Sequence, residues 1–429
     1  HQILTAQPHP TFGSGPNGSW LGAQTTTQRW WADPLINQSG QDRTIRTAFT
    51  HDHMSPSSHQ MHGLYAGLVV EPTDSQWFAQ DGTPLGNRND GGPTSFAAVI
   101  QTANPSNSYR EFCLEIADFA IVYDSNLNPI NPPTFGVVAL PTAVAHNGGV
   151  PGIPQPEFFS SGQNGDPGTD LIDYRNEPVG LRLGHQTSSG FVQNSGVNGD
   201  PAYSFSSTVH GDPFTRFFNA YEGDHVQIRL LQGAQTELHI LNVAGVKWRA
   251  ENSALNSGFV DFQHIGISEH FEPEFTIPPT PGGFSDQQVA VPNVGAASFV
   301  DHLYGFTAED DLWSGMWGIL RAYKQRVAGL IPLPSNPNPG PNEVATFPGN
   351  SVCPSGAPQR NYTVVATLAS SALPGGTLFY NKRFDDKDKN AILFINSTDV
   401  NAYKSGAKAP EPLILRANAG DCINVTLQN

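Results

Sequence analysis

The sequence predicts an all-β protein made of tandem Greek-key β-sandwiches, one complete and two partial. Three observations carry that expectation. Charged residues are only 14% of the chain, against 43 Gly and 36 Pro in 429 residues, which favours short strands broken by turns over long charged helices. Apolar and polar residues alternate in several runs. Two short patterns recur, one that would open a unit and one that would close it. The length alone implies two or three domains.

In chain order, residues 1–75 are expected to be the C-terminal part of a sandwich, closed by Gly63-Leu64-Tyr65-Ala66-Gly67-Leu68-Val69-Val70. Residues 76–109 read as a linker, with a turn-rich break at Asp81–Pro93. Residues 110–326 read as the complete sandwich, with a long Gly- and Pro-rich loop at Ala145–Pro167. Within it, Val226, Ile228 and Leu230 alternate with Gln227 and Arg229, the period of a half-buried strand. Residues 327–358 read as a second linker, stiffened by the prolines of Pro332–Pro341. Residues 359–429 read as the N-terminal part of a further sandwich. Its strand candidates are Asn361–Leu368, Ala391–Ile395 and the alternating Ile423, Val425 and Leu427.

The repeat fixes this division. Gly223-Asp224-His225-Val226-Gln227-Ile228-Arg229-Leu230 matches Gly420-Asp421-Cys422-Ile423-Asn424-Val425-Thr426-Leu427, a tight turn feeding a strand. Gly63–Val70 matches Gly315-Met316-Trp317-Gly318-Ile319-Leu320, where Gly permits close backbone approach before a final buried strand. Only the middle unit carries both patterns. Open half-sandwiches expose edges and apolar faces, so the two outer units are expected to be completed by further sequence, by each other, or by another chain.

The formal charge of −16 argues against nucleic acid or an anionic membrane as partner. No apolar run approaches the ~20 residues needed to span a bilayer. Cys113, Cys353 and Cys422 are too few for a disulfide scaffold or a Cys-x-x-Cys zinc site. One Cys353–Cys422 bridge is possible, leaving a single thiol. Asn17, Asn37, Asn361, Asn396 and Asn424 head glycosylation sequons, weak support for secretion. The chain starts at His1 without a signal-peptide pattern, which suggests processing or a fragment.

Chemistry concentrates at Thr50-His51-Asp52-His53-Met54-Ser55-Pro56-Ser57-Ser58-His59-Gln60-Met61-His62-Gly63-Leu64. Residues i and i+2 of a strand share a face, so His51 and His53 can both point at one ion. Imidazole suits copper, zinc, iron and nickel. The bland alternative is a solvated His-rich loop or a pH-sensitive surface.

This segment resembles the copper-binding end of a cupredoxin domain in a multicopper oxidase. That motif runs His-Cys-His, then a further His, then Gly-Met or Gly-Leu four and five residues later. His51-Asp52-His53 matches the pair, and His59 with Gly63-Leu64 matches the remainder. Asp52 stands where the blue-copper cysteine would be, and a carboxylate does not replace a thiolate in a type 1 site. The resemblance implies copper in a trinuclear centre shared with other segments, with His51 and His53 as ligands, His59 as a relic or supporting residue, and no type 1 copper in this chain. His1-Gln2-Ile3-Leu4 is similar to His239-Ile240-Leu241, so His1 is a further candidate ligand from an upstream motif. Gly22–Trp30, Asp173–Pro178, Gly266–Phe271 and Trp313–Gly318 also resemble the large multi-domain members, which include manganese oxidases and ceruloplasmin-like proteins.

In the middle unit Gly305, Phe306 and Thr307 fall where His, Cys and His would stand, and Asp311 falls where His59 does. His239 lies at the place of an upstream ligand, but alone it reads better as a satisfied buried or interface histidine. His270, beside Glu269 and Glu272, could be a metal site but reads better as an interdomain hydrogen-bonded histidine. The middle unit is therefore expected to be a cupredoxin without copper.

The resemblance implies part of a secreted, cell-surface or periplasmic oxidase. It would pass electrons from a reducing substrate to dioxygen, be incomplete in this chain alone, and be completed by further cupredoxin domains or subunits. The main rival is a non-enzymatic structural or assembly protein of degenerate cupredoxin domains, including a head-to-tail oligomer. A mononuclear zinc or copper hydrolase or reductase at His51, His53 and His59 is a third reading.

Overall fold

The computed structural model describes residues 2–8, 21–27, 29–32, 46–53, 63–73, 75–85, 95–120, 122–123, 129–130, 169–187, 190–234, 237–252, 254, 256–279, 287–291, 295–307, 311–339, 353 and 355–429. They are dominated by strands, as the composition and period-2 runs predict. The Ala145–Pro167 loop lies outside the described residues.

The first strands are β1 (Gln2–Pro8), β2 (Leu21–Thr27), β3 (Thr47–His51) and β4 (Tyr65–Val69), which pair as β1–β2 and β3–β4 hairpins. Next come β5 (Gln76–Phe78), β6 (Ala97–Gln101), β7 (Tyr109–Ala120), β8 (Thr169–Ile172), β9 (Phe217–Tyr221), β10 (His225–Ala234) and β11 (His239–Val243). These are followed by β12 (Phe262–Ile265), β13 (His270–Phe271), β14 (Glu274–Thr276), β15 (Gln287–Val291), β16 (Gly295–Phe306), helix α1 (Asp311–Ser314) and β17 (Trp317–Tyr323). The last elements are β18 (Gln359–Leu368), α2 (Ala369–Ala372), β19 (Ile392–Asn396), α3 (Val400–Ser405) and β20 (Cys422–Gln428).

The middle strands form two sheets. One runs β13–β10–β7–β6–β5, with β8 also on β7 and β14 also on β10. The other runs β9–β17–β16–β11–β12, with β15 also on β16. Their inner faces meet in one core. Phe112, Leu114 and Ile116 of β7 and Val226, Ile228 and Leu230 of β10 face Phe218, Leu241, Tyr304, Phe306 and Leu320. The Phe218 ring sits 4.4 Å from both Phe112 and Tyr304, nearly parallel to each, an aromatic stack that joins the sheets.

Segment 76–109, read from sequence as a linker, supplies β5 and β6 to this sheet. Ala97, Ala98, Val99 and Ile100 are all buried. A four-residue apolar run without alternation is too short to separate a fully buried strand from a loop by pattern alone. The Pro-rich 327–339 stretch also packs inward. Val327 and Leu330 join a small core with Tyr221, Phe299 and Tyr323, and the Ile331 carbonyl accepts from Arg110 Nη2 at 2.5 Å.

The chain divides into two compact units, one of residues 1–279 and 286–342 and one of 280–285 and 343–429. In the second, β19–β18–β20 make a three-stranded sheet, with β18 and β20 parallel. One face carries Ile395 and Leu393 against α2 and α3. The other presents Ile392, Phe394, Leu368, Ile423, Val425 and Leu427, all exposed. The Cys353–Cys422 disulfide, possible from the sequence, is present and leaves Cys113 as the free thiol.

Both recurring patterns prove to be repeated structures. Gly223 and Gly420 each take a positive φ, which favours Gly, and the next residue is an aspartate that caps the turn behind it. Asp224 Oδ2 accepts from Tyr221 N at 2.8 Å, and Asp421 Oδ2 accepts from Asn418 N at 2.9 Å. Each aspartate also meets an arginine of the parallel neighbouring strand, Arg110 or Arg360. The register agrees: Val226 pairs with Arg110 and Ile423 with Arg360. The closing patterns also superimpose in register. His51 pairs with Tyr65 as Gly305 pairs with Trp317. Asp52 N donates to Leu64 O at 3.1 Å as Phe306 N donates to Met316 O at 3.0 Å.

Candidate metal centre

The β3–β4 hairpin ends in the His-x-His pair, and three features hold it. At Gly63, φ is +94° and a Cβ would meet the Tyr174 ring at 3.0 Å. Tyr174 donates its hydroxyl to Gly63 O at 2.9 Å, so the Asp173-Tyr174 corner grips the closing turn. At Gly67, a Cβ would lie 2.9 Å from Glu115 Oε1 and 3.2 Å from Leu231, so β4 needs Gly to lie close against the outer face of the β7–β10 sheet.

On its other side, β3 runs along residues 268–274 of the middle sandwich. Arg46 pairs with Glu274, and His51 Nε2 lies 3.1 Å from Ser268 Oγ. These contacts march in opposite directions along the two segments, as antiparallel neighbours would.

His51 sits at the end of β3 with its ring over Phe49, two residues back on the same face, at 4.9 Å between centroids. His51 Nδ1 lies 2.9 Å from the Asp52 carbonyl. A carbonyl only accepts, so Nδ1 carries the proton. In the neutral ring Nε2 then holds the lone pair, which accepts from the Ser268 hydroxyl. This carbonyl-held tautomer is the arrangement commonly found behind metal-ligating histidines. The His53 ring, exposed, lies 5.4 Å from that of His51, tilted by 52°. The two imidazoles are neighbours, close enough to share an ion. His59 and His1 lie outside the described residues. No group of three or more His, Cys, Asp or Glu able to hold a metal occurs among the described residues.

The corresponding place in the middle sandwich has different chemistry. His239 is fully buried, with Nδ1 3.0 Å from Asp311 Oδ1 and Nε2 3.3 Å from Asp118 Oδ2. Burial alone would lower its pKa. The hydrogen bonds to Asp118 and Asp311 outweigh burial and hold it up at about 10. His239 is therefore an imidazolium between two carboxylates, a satisfied core residue as its sequence context suggests. The Phe306 ring stands edge-on to it at 6.3 Å. Sequence reading placed His239 and Asp311 separately and missed Asp118, which arrives from β7, more than a hundred residues upstream, with no local pattern to mark it.

His270 Nδ1 lies 3.2 Å from Glu272 Oε1. That bond raises the His270 pKa despite partial burial. Cys113 is pushed up by burial and lies in the middle of β7, away from any His-x-His pair.

Neither a protein-family model nor a curated protein sequence matches the chain. Among solved structures it is similar to a multicopper oxidase, at 12% identity over 74% of this chain and 68% of that one, with a TM-score of 0.33. It is similar to the copper nitrite reductase of Nitrosomonas europaea, at 12% identity over 67% of this chain and 71% of that one, with a TM-score of 0.30. It is also similar to the laccase of Botrytis aclada, at 10% identity over 85% of this chain, with a TM-score of 0.30; the chain spans 49% of that laccase.

Proposed function

We propose that this chain is part of a multicopper oxidase that couples one-electron oxidation of a metal ion or a phenol to dioxygen reduction. The observation that carries the reading is the adjacent pair of imidazoles ending β3, with His51 held by the Asp52 carbonyl so that Nε2 keeps its lone pair. Two imidazoles suit copper, and the donor set fits as part of a larger centre. His59 and His1 are the further candidate ligands of the same unit. No type 1 copper is assigned to this chain, because Asp52 stands where the motif needs a thiolate. Bound copper would supply the electron transfer and the dioxygen chemistry.

The protein's own part is positional. Phe49 supports the His51 ring, the Asp52 N–H closes the strand end on Leu64 O, and the Tyr174–Gly63 contact fixes the turn behind both. Residues 1–75, 110–326 and 359–429 serve as cupredoxin units, with missing ligands and the blue copper supplied by further domains or subunits. A secreted or cell-surface setting suits the disulfide. Copper analysis tests the reading. Fully loaded protein should retain copper, and a His51→Ala/His53→Ala variant should lose it. Equal copper in both, or none in either, would overturn the assignment.

One observation favours a second reading, a structural or assembly protein without catalysis. The open apolar face of β18–β20 is suited to burial against another sheet. Concentration-dependent sedimentation by protein that binds no copper would support it.

A further inference from the structure

The structure points to Ser268 as a competitor for the metal-binding nitrogen of His51, so that binding an ion at the β3 end releases the middle sandwich's 266–269 turn. This inference rests on the proposed copper role of His51. The Nδ1 proton is committed to the Asp52 carbonyl, which leaves Nε2 as the one nitrogen able to coordinate. Ser268 Oγ lies 3.1 Å from that nitrogen, so its hydroxyl donates into the same lone pair an ion would use. A lone pair serves one partner at a time.

The placement of Ser268 is built into the turn. Its φ is +61°, a left-handed conformation that Ser adopts at a cost. The turn around it is closed by Glu269 N donating to Gly266 O at 3.1 Å, and by Gly266 N donating to Glu269 Oε2 at 2.8 Å. A Cβ at Gly266 would lie 2.8 Å from Leu238 and 3.3 Å from Glu269 Oε2, so Gly is needed there. The hydroxyl is thus presented from a closed turn on the same segment whose Glu274 pairs with Arg46 just ahead of β3. Coordination at Nε2 must break the Ser268–His51 contact, and by linkage whatever strengthens that contact weakens the ion.

Ser268→Gly removes the hydroxyl and relieves the left-handed strain, so the turn survives. Ser268→Asn keeps a donor in a residue that tolerates this conformation. Calorimetric titration of the full chain with Cu(II) is expected to give about two- to tenfold tighter binding in Ser268→Gly than in wild type, the range set by one exposed neutral hydrogen bond. Ser268→Asn should stay near wild type, and His51→Ala should abolish the tight phase in every background. Nitrogen NMR of His51 should show the Nδ1-protonated tautomer in wild type. Unchanged or weaker copper binding in Ser268→Gly, with His51 still required, would overturn the competition while leaving the copper reading intact. No His51-dependent copper binding in either protein would overturn both.

Discussion

His239 Nδ1 lies 3.0 Å from Asp311 Oδ1, and Asp311 stands where the closing pattern of the first unit carries His59. The middle sandwich keeps the histidine and turns its surroundings into a buried charge clamp that joins β7, β11 and α1. The folded pKa of His239, about 10, lies above the unfolded value of about 6.5. Its stabilisation is therefore complete below the unfolded value and is lost as pH rises toward 10. Denaturant midpoints read by tryptophan fluorescence should fall across that window in wild type. His239→Leu should cost about 3–5 kcal/mol at neutral pH, because two buried carboxylates lose their partner, and should flatten the slope.

Asp173 acts with the same sign at lower pH. Burial raises its pKa to about 7, although Glu115 N and Arg216 both donate to it. A carboxyl raised above its unfolded value of about 3.9 contributes most below that value, and the contribution fades as pH climbs through 7. Asp173→Asn should remove this decline while leaving the high-pH slope from His239 in place. A decline of unchanged size in the variant would exclude Asp173 as its source.

The parts of the molecule that were legible in the sequence are those whose signals are local. The Gly-Asp opening and the Gly-x-x closing patterns are each written within eight residues, and both mark real turns with matching hydrogen bonds. His51 ends β3, and His53 lies two residues on, past the strand end, with its ring 5.4 Å from that of His51. What escaped was long-range. Ser268 meets His51 from 217 residues away, and Asp118 meets His239 from 121. The arginines opposite the Gly-Asp turns stand on neighbouring strands, and each begins an alternating run like its partner; aligning 109–116 with 359–366 would have exposed them. Segment 76–109 was misread because a strand buried on both faces loses the alternation that identifies strands.

Reducing the disulfide should act on the second unit. Cys353 and Cys422 are 69 residues apart, and closing a loop of that size restrains the unfolded chain by about 4 kcal/mol in the entropic treatment. A unit with a small core and an open apolar face has little margin against such a loss. Reductant should therefore expose the β18–β20 region to proteolysis before the first unit. Simultaneous cleavage of both units would contradict this.

The repeated Arg–Asp pair offers an internal control on burial. Arg110 and Asp224 are both fully buried; Arg110 also donates to Gln80 Oε1 at 2.7 Å, and Asp224 accepts from Asn336 Nδ2 at 2.9 Å. Arg360 and Asp421 repeat the pairing at 2.7 Å, but the arginine side chain is 44% exposed. Removing one partner of the buried pair strands a charge, so Asp224→Ala should cost about 3–5 kcal/mol in chemical denaturation. Arg110→Met/Asp224→Ala should cost less than the two single changes added together, because the second substitution removes the stranded guanidinium. Asp421→Ala should cost the second unit much less than Asp224→Ala costs the first, only the lost turn cap to Asn418 N, since water takes over the exposed arginine. Equal losses from Asp224→Ala and Asp421→Ala would show that the turn cap, which both aspartates make, matters more than the ion pair.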